Sequence, residues 1–157
     1  IDTTAWLADF PNLVITRTFS KIYGLAGLRI GYALSSGEIA DLMNRVRQPF
    51  NCNNLALAAA VAALDDHHFV ATSYAANRAG MEQIVGGLKR LGCSHIPSHG
   101  NFVTFRVADA AAVNQRLLQR GVIVRPIAAY GMPDWLRVTI GSESENSRFL
   151  AALEVSL

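Results

Sequence analysis

The sequence predicts an α/β fold in two units, and three patterns support this prediction. Apolar and β-branched runs at residues 13–16 and 30–34 enclose a glycine-containing loop. This loop is too short for the helical crossover between parallel strands, so we expect an antiparallel pair. Between residues 37 and 91, apolar side chains recur at helical spacing. Residues 101–154 then read as strand, helix, strand, strand, helix, which forms a small α/β layer of its own.

The first unit is expected to begin with a short helix over residues 1–10, which Pro11 ends. After the two strands, residues 37–46 are predicted to form an amphipathic helix. Four apolar side chains fall on one face of it at i, i+3, i+4 and i+7. They are Ile39, Leu42, Met43 and Val46.

Two further helices follow. Asparagines cap an alanine-rich helix over residues 54–64, which has no polar face, so we expect protein to surround it on all sides. A long helix then extends to about Leu91, where Gly92 ends it. Because the composition changes in this region, we place the first unit at residues 1–65 and the second, with the long linking helix, at 66–157.

The second unit contains three predicted strands and two helices. The strands are expected at 101–107, 122–124 and 135–140. Asp109 caps a helix that extends to about Arg120, and Ser142 with Glu145 forms a capping box that opens the last helix.

Composition excludes several classes of function. The 157 residues carry a formal net charge of +2 and are 51% hydrophobic, which describes a globular chain without an electrostatic footprint for nucleic acid. The longest apolar run, residues 55–64, is too short to cross a membrane. Two cysteines cannot build a disulfide framework, so we expect a cytoplasmic protein. The histidines are not spaced as ligands, so no metal site is predicted.

Amine chemistry has only two candidates, because Lys21 and Lys89 are the only lysines. Lys21 follows a strand in a glycine-containing loop, where shelter from water would lower the pKa of its amine and free it to attack a carbonyl. Ser20, Thr18 and Arg29 lie beside it in sequence and offer the donors that a phosphate dianion needs. A lysine that forms an imine beside a phosphate site implies pyridoxal phosphate.

The same residues carry a resemblance to a known family. The phrase SKIYGLAGLRIGY, from Ser20 to Tyr32, resembles the Schiff-base lysine motif of class I and II aminotransferases. The phrase YGMPDWLRVTIG, from Tyr130 to Gly141, resembles the C-terminal part of the histidinol-phosphate aminotransferases in that superfamily. With the helices between them, the two phrases extend the resemblance over essentially the whole chain.

The resemblance implies a fold and a set of roles. The fold would be the C-terminal part of the pyridoxal-phosphate-dependent transferase fold typified by aspartate aminotransferase, with the end of the large-domain sheet and the small α/β domain. Lys21 would hold the cofactor and shuttle a proton. Arg29, Ser20 and Thr18 would bind the cofactor phosphate. Arg137 would bind the substrate carboxylate, and Arg125, in the phrase GVIVRP, a phosphate on the substrate.

The implied reaction moves an amino group between L-histidinol phosphate and 2-oxoglutarate in histidine biosynthesis, in a homodimer. Family members draw other cofactor contacts from sequence upstream of the lysine strand, so we expect this chain alone to be an inactive fragment. We also expect it to be marginally stable or to self-associate, because the strands around Lys21 would end a larger sheet and leave unpaired edges. An aromatic-amino-acid aminotransferase or a threonine-phosphate decarboxylase would use the same Lys21 and Arg137. A non-catalytic α/β binding or dimerisation domain is the alternative from another class.

Simpler interpretations remain open for the individual residues. Lys21 alone would fit a surface turn, and Lys89 fits a helix C-terminus, where a cation meets the helix dipole favourably. Arg137 alone would fit a surface ion pair. Phe102 and Phe105 are predicted to belong to the core, since no basic stripe accompanies them.

Overall fold

The structure, a computed structural model, describes residues 2–157. The chain forms two compact units, Ile1–Thr72 and Ser73–Leu157, and each is described by itself. The predicted short helix at the start is a 3₁₀ helix, Thr3–Ala8, whose first turn is capped by the carboxylate of Asp2. Ile1 lies outside the described residues.

The first unit contains the predicted antiparallel pair. Strand β1, Ile15–Thr18, pairs with strand β2, Gly31–Leu34, in a register that places Thr18 opposite Gly31. A Cβ atom at Gly31 would lie 2.7 Å from the carbonyl oxygen of Arg17, so only glycine allows the two backbones to approach this closely.

Two helices complete this unit. Helix α1, Gly37–Val46, has the predicted bounds, and helix α2, Asn54–Asp65, begins at the Asn53 cap. The prediction that protein surrounds α2 on all sides is wrong. Its Ala56 and Ala60 are buried, but Leu55 is 79% exposed and Val61 is 65% exposed. The described part of the chain covers only the alanine side, so α2 presents an apolar surface to water.

The second unit is built on a four-stranded antiparallel sheet in the order β3-β4-β6-β5. Its strands are β3 His95–Ile96, β4 Phe102–Arg106, β5 Arg125–Pro126 and β6 Trp135–Thr139. The strands predicted at 101–107 and 135–140 are present. β3 was not predicted, and the pairing expected at 122–124 occurs instead at Arg125–Pro126.

Three helices accompany this sheet: α3 His67–Arg90, α4 Ala110–Gln119 and α5 Glu143–Glu154. One face of the sheet shares a hydrophobic core with them, formed around Ile84, Leu88, Val103, Phe105, Leu117, Leu136, Phe149 and Leu153. Alternate residues of β4 and β6 point away from that core, which leaves the opposite face of the sheet free to carry polar groups.

Asn146 fixes the connection between β6 and α5. It is 2% exposed, its Oδ1 accepts from the Gly141 N–H at 2.9 Å, and its Nδ2 donates to the Gly141 carbonyl at 3.1 Å. Helix α3 approaches so closely that a Cβ atom at Gly80 would lie 2.8 Å from Asn146 Nδ2. The side chain of Asn146 is therefore held between α3 and the loop that it bonds.

The predicted capping box at the start of α5 is present. The Ser142 N–H donates to Glu145 Oε2 at 2.8 Å, and the Glu145 N–H donates to Ser142 Oγ at 3.4 Å. The hydrogen bond from the Ser142 backbone, followed by that from its hydroxyl, lowers the pKa of Glu145 below its ordinary value.

This lowered pKa predicts a pH dependence of stability. Since the pKa is lower in the folded state, the contribution of Glu145 is present above its unfolded pKa and is lost as the pH falls through the folded pKa. We expect Glu145→Gln to remove part of the loss of stability between about pH 5 and pH 3. Urea denaturation over that range measures it, with Glu143→Gln, in the same helical turn, as the matched control that keeps the dependence. Identical pH profiles for wild type and Glu145→Gln would contradict the assignment.

Candidate active site

The loop between β1 and β2 is anchored by one buried aromatic ring. Phe19 is 3% exposed, and its ring centroid lies 4.9 Å from that of Tyr23 and 5.7 Å from that of Tyr32. The Leu25 N–H donates to the Phe19 carbonyl at 2.9 Å, which closes the loop on itself. Because Phe19 is fixed by packing, the backbone of Ser20, next in the chain, starts from a defined position.

Within this loop the structure brings together three of the predicted cofactor-binding residues. Arg29 Nη1 donates to Ser20 Oγ at 3.2 Å and to the Ala26 carbonyl at 3.0 Å, and the Ser20 N–H donates to Thr18 Oγ1 at 3.0 Å. Arg29 has a φ of 53°, a left-handed conformation that is uncommon outside glycine and is often found at functional sites. A guanidinium and two hydroxyls therefore converge on one loop.

Lys21 lies next to this group. Its side chain is exposed, and its amine has no hydrogen bond or ion pair with any residue from 2 to 157. Within the described residues Lys21 is therefore not sheltered from water as expected, and Phe19 is the side chain that is buried at this end of β1.

The donors of this loop suit a phosphate monoester and the neighbouring amine suits a carbonyl, and pyridoxal phosphate has both groups. Arg29 offers a charged fork, Ser20 and Thr18 offer hydroxyls, and Lys21 offers a free amine one residue away. A dianion is best held by charge-assisted hydrogen bonds of this kind. Thr18 and Arg29 are exposed and Ser20 is half-buried, so a ligand can reach all three.

The second unit presents a separate set of cations on the face of its sheet that points away from the hydrophobic core, which we call the open face. Arg125 on β5 lies directly opposite Arg137 on β6, and Arg137 lies opposite Thr104 on β4. Residues directly opposite in an antiparallel pair point to the same face of the sheet, with Cβ atoms about 5 Å apart. The structure thus brings Arg125 and Arg137 together.

Neither of these two arginines is neutralised by an acid. Within residues 2–157 the ion pairs are Arg45 with Asp41 and Arg106 with Asp134. Two like charges directly opposite each other destabilise a sheet. An arrangement that keeps both guanidinium forks free is suited to an anionic ligand that is planar or has several oxygens, such as a carboxylate or a phosphate.

One aromatic residue at this site was not predicted. Phe102 is half-buried on the open face, and the Arg137 guanidinium carbon lies 4.8 Å from its ring centroid. The prediction that Phe102 belongs to the core is therefore wrong, whereas Phe105 is fully buried against Phe149, as predicted. Strand alternation is the sequence signal that separates the two, because Phe102 and Phe105 are three residues apart and must point to opposite faces.

Among residues 2–157, no cluster of three or more histidine, cysteine, aspartate or glutamate side chains is placed to hold a metal ion. No helix in this part of the chain is long and apolar enough to cross a membrane.

A lysine in a structured strand–loop–strand, beside donors for a phosphate, is the arrangement expected of an enzyme that transfers groups through an amine-bound cofactor. The family model for class I and II aminotransferases matches residues 2–153. The chain belongs to this family, whose members depend on pyridoxal phosphate.

Known relatives place the chain within one part of the family. It is 74% identical over all of its length to histidinol-phosphate aminotransferase 1 of Dechloromonas aromatica (strain RCB), and the match covers 43% of that protein. It resembles the structure of histidinol-phosphate aminotransferase from Sinorhizobium meliloti in complex with pyridoxal-5'-phosphate, with a TM-score of 0.86 and 31% identity over 94% of this chain and 42% of that one.

The fold is also shared with enzymes that carry a different name. L-threonine-O-3-phosphate decarboxylase from Porphyromonas gingivalis matches with a TM-score of 0.81 and 25% identity, over 96% of this chain and 48% of that one. The chain therefore spans less than half the length of each of these three relatives.

Proposed function

We propose that the chain is part of an enzyme that transfers an amino group between L-histidinol phosphate and 2-oxoglutarate in histidine biosynthesis. The observation that carries this proposal is the pair of unneutralised arginines, Arg125 and Arg137, opposite each other on the open face of the sheet. Both substrates carry anionic groups that such a pair binds, a phosphate on one and carboxylates on the other. The 74% identity to a histidinol-phosphate aminotransferase supports the same choice.

The loop of the first unit would hold pyridoxal phosphate. Arg29, Ser20 and Thr18 would bind its phosphate, and Lys21 would hold the cofactor through its side-chain amine. Once bound, the cofactor supplies an electron-accepting ring that makes the substrate Cα–H acidic. The Nζ of Lys21 would take the proton from the substrate Cα as a general base.

The two arginines would divide the substrate anions between them. Arg137 binds the carboxylate of 2-oxoglutarate and of its amino-acid product. L-Histidinol phosphate has no carboxylate, so its phosphate is the group available to the pair, and we assign the principal contact to Arg125. The phosphate has three oxygens and can accept from both guanidinium forks at once.

This division predicts a selective effect of Arg125→Gln. We expect the KM for L-histidinol phosphate to rise about 10- to 100-fold, since a hydrogen bond to a charged group is lost. The KM for an unphosphorylated amino donor should change by less than about threefold. Arg106→Gln, on the same face but paired with Asp134, is the matched control. Equal losses with both donors would remove the phosphate role of Arg125.

The test of the proposed function uses a hybrid enzyme. This chain replaces the matching segment of the Dechloromonas aromatica relative, so that the rest of a complete aminotransferase is supplied. The expected result is 2-oxoglutarate-dependent conversion of L-histidinol phosphate to the corresponding carbonyl compound, with visible absorbance from bound cofactor. A folded hybrid that binds the cofactor but ignores L-histidinol phosphate would contradict the substrate assignment.

The same hybrid separates the rival activities. An aromatic-amino-acid aminotransferase would prefer aromatic donors, and a threonine-phosphate decarboxylase would release carbon dioxide where a transaminase forms a 2-oxo acid. A non-catalytic binding domain would give a colourless hybrid. We further propose a cytoplasmic homodimer for the complete enzyme, and the exposed apolar side of α2 supports the presence of a further protein surface there.

A further inference from the structure

The contact between Phe102 and Arg137 offsets part of the repulsion between two neighbouring positive charges in the sheet. Arg125 and Arg137 point to the same face from directly opposite positions, and their charges repel. A carboxylate beside them would relieve the repulsion, but it would also accept hydrogen bonds from the guanidinium fork. The face of an aromatic ring carries partial negative charge and accepts no such bidentate pair.

Phe102 lies where its ring can face the Arg137 guanidinium. It lies opposite Thr139 in the pairing of β4 with β6, two residues along β6 from Arg137 and on the same face. The Arg137 guanidinium carbon stands 4.8 Å above its ring, within the range of a cation–π interaction. The guanidinium of Arg137 donates no hydrogen bond to any residue from 2 to 157, in contrast to that of Arg106, which is bound to Asp134, so its donors are left for a ligand.

The ring itself is held by the turn that precedes β4. A Cβ atom at Gly100 would lie 3.6 Å from Phe102 Cε1, so this backbone is in near contact with the ring. The turn is fixed in its place, because Asn77 Nδ2 donates to the Gly100 carbonyl at 3.1 Å and the Ile140 N–H donates to the Asn101 carbonyl at 2.8 Å. The stacking partner of Arg137 is thus attached to both α3 and the end of β6.

We propose that Phe102 is a positioning residue that orients Arg137 and offsets its charge, so that the whole guanidinium fork is presented to the substrate anion. The inference rests on the proposed function only in taking Arg137 as the anion-binding group. Phe102 does not touch the reacting atoms, and its effect passes through Arg137.

The test compares three variants in the hybrid enzyme. Phe102→Leu removes the ring and keeps an apolar side chain, Phe102→Tyr keeps the ring, and Phe105→Leu removes a core ring on the opposite face of the same strand. For Phe102→Leu we expect the KM for 2-oxoglutarate and the inhibition constant of inorganic phosphate to rise about two- to fivefold, with kcat unchanged. Phe102→Tyr should restore both constants. Phe105→Leu should lower the melting temperature and leave both constants unchanged.

A readout independent of catalysis accompanies these constants. The side-chain protons of Arg137, assigned with Arg137→Lys, should show upfield ring-current shifts in NMR spectra of wild type and Phe102→Tyr that disappear in Phe102→Leu. Persistence of those shifts in Phe102→Leu, or unchanged constants where the shifts are lost, would overturn the proposal. A hybrid that binds phosphate through Arg137 but lacks activity toward L-histidinol phosphate would contradict the proposed function and leave the positioning role supported.

Discussion

Replacement of Lys21 by alanine in the hybrid enzyme is expected to lower kcat/KM at least about a thousandfold. Under the proposed function, the variant would lose both the amine that holds the cofactor and the base that moves the proton at the substrate Cα, and a positioned base alone contributes about 10² to 10⁴. Steady-state kinetics with L-histidinol phosphate measures the loss. Borohydride reduction followed by peptide mass analysis should place the cofactor on Lys21 in the wild type and on no residue in the variant.

Two further variants separate the amine from its charge. Lys21→Arg keeps a cation beside Ser20 and Arg29 but has no nucleophilic amine, so its activity should be as low as that of Lys21→Ala. Lys89→Ala removes the other lysine, near the C-terminus of α3, and should leave activity unchanged. Activity of Lys21→Ala within tenfold of wild type, with the cofactor reduced onto another residue, would disprove the assignment of Lys21.

Replacement of Asn146 by leucine is expected to lower the free energy of unfolding of the second unit by about 2–4 kcal/mol. The Gly141 N–H and carbonyl both lose their partner in this variant, and leucine cannot supply another. Helix α3 leaves no space for water, since Gly80 lies against the amide. Urea denaturation followed by Trp135 fluorescence in a Trp6→Phe background reports this unit alone.

Asn114→Leu is the matched control, because it is the same substitution on another helix of the same unit. The Asn114 Oδ1 is buried without a hydrogen-bond partner in the described residues. Its removal should therefore change the free energy of unfolding by less than about 1 kcal/mol in either direction. If both variants lose equal stability, shape rather than hydrogen bonding explains Asn146.

Elements set by local signals could be predicted from the sequence. Asn53 and Asp109 cap helices as expected, Gly92 adopts a left-handed conformation at the end of α3, and the Ser142–Glu145 box opens α5. These features depend on residues within one turn of each other.

Features set by tertiary pairing could not be predicted. The two-residue strands β3 and β5 exist only because longer neighbours provide partners, and a run of two residues has no periodicity to detect. The apolar composition of α2 indicated burial, but the sequence did not show that Leu55 and Val61 would remain exposed in this chain.

In the candidate site, too, the features set by neighbouring residues could be predicted, and those set by tertiary pairing could not. The loop around Lys21 could be recognised because its residues are contiguous in sequence. The exposure of the Lys21 side chain could not, because it depends on the tertiary packing that buries Phe19. Arg125 and Arg137 were each predicted to bind an anion, but their opposition depends on the pairing of β5 with β6. The stacking of Phe102 on Arg137 depends on a register between strands more than thirty residues apart in sequence.

The strand order of the second unit places Arg125 and Arg137 on strands that differ in local stability. Arg137 belongs to an inner strand with hydrogen-bonded neighbours on both sides, while Arg125 belongs to a two-residue strand at the edge. Edge strands open locally at a smaller free-energy cost than inner ones. Under the proposed function, the carboxylate would therefore be bound from an inner strand of the sheet and the phosphate from its edge. On the same proposal, substitutions in the edge strand would change which amino donor is accepted and leave the carboxylate contact of Arg137 unchanged.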